Sequence, residues 1–185
     1  SSLQVGTSDF SVIAWVYRTN LDGAIFAYGS TSPNPFFHIY ENSGDDVGAT
    51  QIRVRINDGG GDTNMFSSSN SFAQNEWTHL AVTIDRDSAT GGKIYFDGIQ
   101  DTVSTSDLTS QNSTLVNGSI GAYIGTREAG GSFSSFYSGN ICQVGLWNRV
   151  LTQAEIQSVM EKTYEEFTAS EKTNLMSYWA LDEAE

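Results

Sequence analysis

Hydrophobic and polar residues alternate along much of the chain in short runs that have the length of β-strands. The segment 51–56 alternates most regularly, with isoleucine and valine on one face and Arg53 and Arg55 on the other. A period of two is typical of a strand with one buried face and one face in water. The segment 10–17 is apolar at nearly every position, which predicts a central strand covered on both faces.

Turn-forming residues separate further strand candidates at regular intervals along the chain. These strands are predicted at residues 24–28, 36–40, 76–85, 92–98, 99–104, 119–126 and 139–148. Short strands at regular spacing favour two packed antiparallel sheets over alternating strands and helices. Trp15 and Trp77 lie within such segments, and we expect both to anchor the core.

The pattern changes near the C-terminus. Thr152 and Glu155 form a capping box, which predicts a helix that runs to about Tyr164, and Thr168 with Glu171 gives a second, shorter capping signal. Residues 175–181 return to a strand pattern that we expect to close one sheet edge. No repeat or linker divides the chain, so residues 1–185 are interpreted as one domain of a longer protein.

The charge of the chain limits the classes of partner that it is expected to bind. Nine Lys and Arg residues stand against 22 Asp and Glu residues, which gives a net charge of -13. Such a chain repels phosphate backbones and anionic lipid surfaces, so neither nucleic acid binding nor membrane insertion is expected. No apolar stretch approaches the roughly 20 residues that a membrane span needs. Cys142 is the only cysteine, which excludes an intrachain disulfide.

The sequence does not predict a catalytic centre. His38 and His79 lie in separate strand candidates, and no serine, cysteine or aspartate pattern around them indicates a triad. We interpret both as half-exposed histidines on strands. Two histidines and one cysteine scattered along the chain also give no zinc-binding pattern.

Five segments resemble one known family and occur in the order that this family uses. They are residues 10–16 (FSVIAWV), 76–85 (EWTHLAVTID), 93–98 (KIYFDG), 122–126 (AYIGT) and 136–156 (FYSGNICQVGLWNRVLTQAEI). The chain resembles laminin-G-like jelly-roll domains of the concanavalin A-like lectin/glucanase superfamily. The resemblance implies an all-β, two-sheet antiparallel jelly-roll sandwich with a short C-terminal helix and a closing strand. A segment like residues 174–183 often opens such a domain. In this chain the segment comes last, so it either closes the domain or begins the next one.

The resemblance also implies a class of function. Members include lectin-like and adhesion domains, so we expect a non-catalytic module that binds a glycan or cell-surface polysaccharide through rim loops. Laminarinase-type relatives carry alternating carboxylates (E-x-D-x-E) on one strand. This chain lacks them, so an enzyme is not expected and a degenerate glycosidase is a third hypothesis.

The main alternative is a structural or spacer domain of a phage fibre, virion or surface protein, which contacts only other domains of its parent protein. Under both hypotheses we expect the protein to be extracellular, at a cell surface or on a virion.

Two acidic loops are candidates for Ca²⁺ binding. One carries Asp45 and Asp46, and the other carries Asp58, Asp62 and Asn64 among glycines. Calcium prefers six to eight oxygen ligands, and glycine-rich turns let backbone carbonyls converge on it. The alternative is that both are polar hairpin loops with ordinary Asn/Asp/Gly turn chemistry. Because the loops flank the strand at 51–56, they are not expected to share one ion.

Carbohydrate recognition needs an aromatic surface and planar polar groups. Phe133 lies among glycines and serines, where it is hard to bury, and Arg127 opens the same segment. Phe136 and Tyr137 are interpreted as structural. Arg53 and Arg55 are candidates for binding an acidic sugar, although pairing with the surplus carboxylates is the favoured interpretation.

Overall fold

Strands dominate the chain, as the alternating pattern predicts. The computed structural model describes residues 3–20, 23–30, 35–42, 51–68, 72–105, 107–115 and 121–181. Its strands are β1 (Phe10–Arg18), β2 (Gly23–Gly29), β3 (Phe36–Asn42), β4 (Gln51–Asn57), β5 (Thr63–Phe66), β6 (Trp77–Ile84), β7 (Gly92–Phe96), β8 (Ile99–Gln100), β9 (Ala122–Ile124), β10 (Arg127–Ala129), β11 (Ser132–Ser134), β12 (Gly139–Trp147) and β13 (Leu175–Trp179).

The described strands form two large antiparallel sheets. The six-stranded sheet has the order β13-β12-β1-β6-β7-β8, and the five-stranded sheet has the order β5-β4-β3-β2-β9. Strands β10 and β11 form a separate hairpin. β1 lies between β12 and β6, and most of its residues are buried on both faces. This arrangement confirms the two-sheet jelly-roll sandwich and the central position predicted for the first strand.

The core lies between the inner faces of the two sheets. The five-stranded sheet contributes Ile52, Val54 and Ile56, the apolar half of the alternating strand β4. The six-stranded sheet contributes Val12 and Val16 from β1 and, from its neighbours β6 and β12, Leu80, Val82, Ile84, Val144 and Leu146. Alternate residues of paired strands point to one face, so the sequence period decides which side chains fill this core.

The outer face of the six-stranded sheet is covered by the C-terminal segment. The helix α1 (Gln153–Val159) begins with the predicted capping box between Thr152 and Glu155. Its buried residues join a second apolar cluster with the sheet residues Ile13, Ala81 and Trp147 and with Leu151 and Phe167. In the described part of the chain, no helix has the length and apolar character that crossing a membrane requires.

The helix is shorter than predicted. It ends at Val159 rather than near Tyr164, because Thr163 caps a separate 3₁₀ turn at Tyr164–Glu166. The second predicted capping pair is present, since the Thr168 backbone N–H donates to a Glu171 carboxylate oxygen at 2.6 Å. A series of turns follows it instead of a helix, and the chain then enters β13.

Strand β13 closes the edge of the six-stranded sheet, as its pattern predicts. It pairs antiparallel with β12, and Val144 lies opposite Trp179. Trp179 contacts Phe26 of the other sheet with ring centroids 6.4 Å apart. The described part of the segment 174–183 therefore packs as a strand of this sandwich.

The sequence missed the strand β5 and the β10–β11 hairpin. β5 is short and half polar, so it shows no clear period of its own, and its pairing with β4 defines it. The hairpin turns at Gly130 and Gly131, whose φ values are 60° and 87°. Two residues with positive φ are the geometry of a type I′ hairpin, for which Gly-Gly was an available signal.

The prediction for the two tryptophans is wrong in part. Trp77 is 47% exposed and contacts Tyr17 on the outer face of the six-stranded sheet, with ring centroids 5.6 Å apart. Trp15 lies half-buried, and its indole N–H donates to the Met160 carbonyl at 3.2 Å. Both residues occupy outward strand positions because the bulky core residues of β1 and β6 take the inward ones.

Candidate ligand-binding face

Strand register brings polar and aromatic side chains into rows on the outer face of the five-stranded sheet. One row crosses five strands through the register partners Tyr123, Ala27, His38, Arg55 and Asn64. A second row joins Tyr40, Arg53 and Phe66. We call this surface, with Arg127 beside it, the arginine face. From Tyr123 to Arg55 the row spans three strand spacings, or about 14 Å.

Arg53 is held in place by contacts on both of its neighbouring strands. Its Nε donates to the Asn64 side-chain oxygen at 3.0 Å. Its guanidinium carbon lies 5.3 Å from the Tyr40 ring centroid and 5.2 Å from that of Phe66. Cation–π contacts and a hydrogen bond at Nε fix the orientation of this half-buried side chain.

Arg55 pairs with a carboxylate, as the sequence interpretation favoured. Its Nε donates to Asp62 at 2.7 Å, and a terminal nitrogen binds the same oxygen. The guanidinium carbon lies 4.8 Å above the Phe36 ring, which helps to bury that ring on an outward strand position. Burial acts to raise the pKa of Asp62, but hydrogen bonds from Asn57 and Arg55 outweigh it and lower the pKa.

Arg127 reaches the same surface from the β10–β11 hairpin. The hairpin lies beside β2, because Glu128 forms a bridge with Ser30 at the end of that strand. The Arg127 Nε donates to the Ser135 hydroxyl at 3.0 Å. Its charge adds to burial in lowering the pKa of His38, and it opposes the burial that raises the pKa of Tyr40.

His38 lies beneath this surface rather than half-exposed on it, so that expectation is wrong. Its ring stacks on Phe36 with centroids 4.7 Å apart, and the residue has no exposed area. Burial, followed by the positive charges of Arg127 and Arg55, lowers the pKa of His38 to about 3. His79 is equally buried but lies in the six-stranded sheet. The two histidines are therefore neutral core groups in different sheets.

The aromatic end of the arginine face is formed by Phe133 and Tyr123. Phe133 is 55% exposed, as predicted, and meets Tyr123 edge-to-face with ring centroids 5.3 Å apart. Phe136 is 67% exposed, so its interpretation as a packed residue is wrong. It precedes Tyr137, which is partly buried against the core and takes the structural position.

The structure brings all four predicted ligand candidates to this one surface. Arg53 and Arg55 lie on β4, and Arg127 and Phe133 lie on the hairpin. They occupy a sheet face and its adjoining hairpin, whereas the sequence pointed to rim loops. Sequence reasoning missed their aromatic partners Tyr40, Phe66 and Tyr123, which follow only from the strand register.

The predicted calcium ligands have other partners in this geometry. Asp62 binds Arg55, and the Asn64 side-chain oxygen accepts from Arg53. The Asp58 carboxylate accepts the Ser113 backbone N–H at 2.6 Å and the Gly60 N–H at 3.1 Å.

As arranged, the side-chain oxygens of Asp62 and Asn64 bind arginines, and those of Asp58 accept backbone N–H groups. The described residues also contain no group of three or more His, Cys, Asp or Glu that could hold a metal ion. Asp45 and Asp46 lie outside the described residues. Calcium binding stays a prediction.

The fold and this surface define a jelly-roll sandwich that presents cationic and aromatic side chains on one sheet face. A laminin G family model, described as the concanavalin A-like lectin/glucanases superfamily, matches residues 1–157. The match covers most of the 185 residues, so the chain belongs to this superfamily. Comparison with curated proteins finds no matching sequence.

Several solved structures share the fold at low sequence identity. A candidate carbohydrate-binding protein of Bacteroides ovatus is 19% identical, with a TM-score of 0.68 over 96% of this chain and 46% of that one. The CBM40 of Ruminococcus gnavus IT-sialidase, bound to α2,6-sialyllactose, is 14% identical, with a TM-score of 0.55 over 82% of each chain.

The ligand-binding domain of botulinum neurotoxin serotype D, in complex with N-acetylneuraminic acid, is 12% identical, with a TM-score of 0.57 over 83% of this chain and 36% of that one. The chain therefore spans less than half the length of two of these three proteins. At these identities the likeness shows the fold alone.

Proposed function

We propose that this chain is a non-catalytic carbohydrate-binding module and that the arginine face is its binding surface. The observation that carries the proposal is the convergence of Arg53, Arg55, Arg127 and Phe133 on one sheet face. On the outer face of the other sheet, α1 and the segment after it bury Ile13, Ala81 and Trp147 and leave Trp77 exposed. The outer face of the five-stranded sheet combines exposed aromatic side chains with a group of arginines, and this combination suits a ligand better.

The chemistry of this surface suits a sugar. Sugar rings present apolar C–H faces that pack on aromatic side chains, and hydroxyl groups that bond to planar polar groups. Phe133 and Tyr123 supply the aromatic part, and the guanidinium groups supply planar donors. Since these donors are fixed by rings and hydrogen bonds, binding costs little side-chain entropy.

The comparisons support the same class of function. The Bacteroides ovatus protein is named as a candidate carbohydrate-binding protein, and the other two structures hold sialic acid-containing ligands. These similarities support a glycan as the ligand, displayed at a cell surface, on a virion or in another extracellular setting. The other domains of a parent protein are the second class of partner.

A glycan array followed by titration calorimetry tests the proposal. We expect the chain to bind a subset of glycans and expect Phe133→Ala to weaken binding about five- to tenfold, the loss typical of one aromatic contact. Trp77→Ala is the matched control, because it removes an exposed aromatic residue from the opposite sheet. A spacer domain predicts instead that no glycan gives a signal.

Calcium is tested in the same assay. We propose that calcium assists binding at the loop that carries Asp58 and Asp62. A chelator would then lower both the glycan signal and the melting temperature. Unchanged values with chelator would remove calcium from the proposal and leave glycan binding intact.

A further inference from the structure

From the geometry of the arginine face, we propose that its ligand is an acidic saccharide whose carboxylate is bound by Arg53 and Arg127. This inference rests on the proposed function, because it names the class of sugar that the same surface takes.

Positive charge is concentrated on this surface although the chain carries a net charge of -13. The pKa of the Tyr40 hydroxyl depends on the positive and negative charges around it. Burial raises its pKa most strongly, Arg53, Arg55 and Arg127 act to lower it, and Asp62 acts to raise it. Among the described residues, the charges that act on this hydroxyl are three cations and one anion, so an excess of positive charge remains there after Asp62 pairs with Arg55.

Arg53 and Arg127 form no ion pair with a carboxylate of the described residues, and the guanidinium group of each is held in one orientation. The Nε of Arg53 and that of Arg127 donate to side-chain oxygens of Asn64 and Ser135. Within the described part of the chain, no hydrogen bond engages their terminal nitrogens. An arginine anchored through Nε presents the remaining N–H groups to a ligand in a fixed plane, and this plane matches the two oxygens of a carboxylate.

A single carboxylate suits this molecule better than a string of sulfates. Guanidinium groups bind either kind of oxyanion. A polysulfated chain, however, would place its further charges over a strongly acidic protein, where they are repelled. A sugar with one carboxylate meets the local positive charge and otherwise offers neutral hydroxyls and C–H faces, which suit Phe133 and Tyr123.

Paired ligands that differ only in the carboxylate test the inference. The probes are α2,6-sialyllactose, its methyl ester and lactose, together with an oligoglucuronate and its carboxyl-reduced counterpart, each titrated by calorimetry. We expect one of the acidic sugars to bind and expect esterification or reduction of that sugar to weaken binding about tenfold or more, as loss of a charge-assisted hydrogen bond does.

Arginine variants locate the contact. Arg53→Gln and Arg127→Gln should each weaken binding of the acidic sugar about tenfold, and Arg53→Lys should recover only part of the affinity because a lysine lacks the planar fork. Lys93→Gln, which removes a positive charge from the six-stranded sheet, should bind as the unmodified chain does. Circular dichroism verifies that each variant is folded, and Arg53→Lys serves if Arg53→Gln is not.

The outcomes separate this inference from the proposed function. Equal binding of the acid and its neutral counterpart overturns the acidic ligand but leaves a glycan-binding module. Stronger binding of a sulfated lactose than of the carboxylated sugars also overturns it. Folded arginine variants that keep full affinity show that the carboxylate is bound elsewhere. If the array and every titration give no signal, the proposed function fails as well.

Discussion

Charged residues of this chain have different roles that depend on their burial. Arg18 of β1 and Glu41 of β3 form an ion pair within the sandwich, and both are almost fully buried. Arg86 is also buried, and it donates to backbone carbonyls, including that of Gly6 at 3.1 Å. A buried charge must be paired or hydrogen-bonded to be tolerated. Arg53, in contrast, is half-exposed and keeps donors available to a ligand.

The buried His79 makes the stability of the protein depend on pH. Both of its ring nitrogens are buried without a hydrogen-bond partner among the described residues, and burial lowers its pKa to about 4. Between pH 6.5 and 4 the unfolded chain therefore binds a proton that the folded chain does not, so stability falls as the pH falls. We expect His79→Phe to reduce this loss.

Urea denaturation at pH 7 and at pH 4.5 measures the effect. At pH 7, where both states hold the histidine neutral, the variant should be as stable as the unmodified chain or about 1 kcal/mol more stable, because an unsatisfied polar group is removed. His38→Phe is the matched variant in the other sheet. An unchanged pH dependence in His79→Phe would contradict the assignment.

Each sheet has one outer face, and the segments that pack on this face determine how much of it is accessible to a ligand. The capping box at Thr152 starts a helix whose Ile156 and Val159 cover the six-stranded sheet. The five-stranded sheet is met by the small β10–β11 hairpin, which contributes Arg127 and Phe133 to the surface; on this face His38 is buried, and Arg53 and Arg55 stay partly exposed. The two sheets differ in role because different segments pack on their outer faces.

Strand β13 gives a prediction at the scale of an element. Its removal, by ending the chain after Thr173, exposes the backbone edge of β12 and takes away the contact between Trp179 and Phe26. We expect the free energy of unfolding to fall by about 3 kcal/mol or more, the loss typical of deleting a large packed side chain. Urea denaturation against a chain ending after Leu181 measures it. Equal midpoints for the two chains would refute the structural role of β13.

For the whole molecule, net charge and local charge have opposite signs. The chain carries -13 overall, yet three of its nine basic residues lie on the arginine face. At physiological salt the Debye length is about 8 Å, so a small ligand at this surface senses mainly the nearby arginines. A long polyanion extends beyond that distance and meets the acidic remainder of the surface.

Duplex DNA tests this view of the whole molecule. We expect no shift of a DNA duplex in a gel-retardation assay at physiological salt, because three clustered cations do not offset the overall repulsion. The same protein sample, in the same buffer, should bind its glycan probe. A DNA complex that weakens as salt is raised would mean that the arginine face is a nucleic-acid surface.

Local patterns along the chain are enough to predict the sandwich fold and the face of a strand on which many side chains lie. Alternation in β4 sorted Ile52 inward and Arg53 outward, since the period of a strand is two wherever it lies in a sheet. The capping box fixed the start of α1 for a similarly local reason. The exposure of Phe133 followed from its glycine- and serine-rich neighbours.

Contacts between distant residues, in contrast, follow from the folded arrangement of the sheets. Arg53 precedes Arg127 by 74 positions in the chain, and strand register together with the docking of the hairpin brings them to one face. The pKa of His38 is likewise lowered by burial and by the charge of Arg127, which lies 89 positions further along the chain. Register and sheet packing are set by the sum of contacts across the sandwich, so the local pattern shows which way a side chain points but not what it meets there.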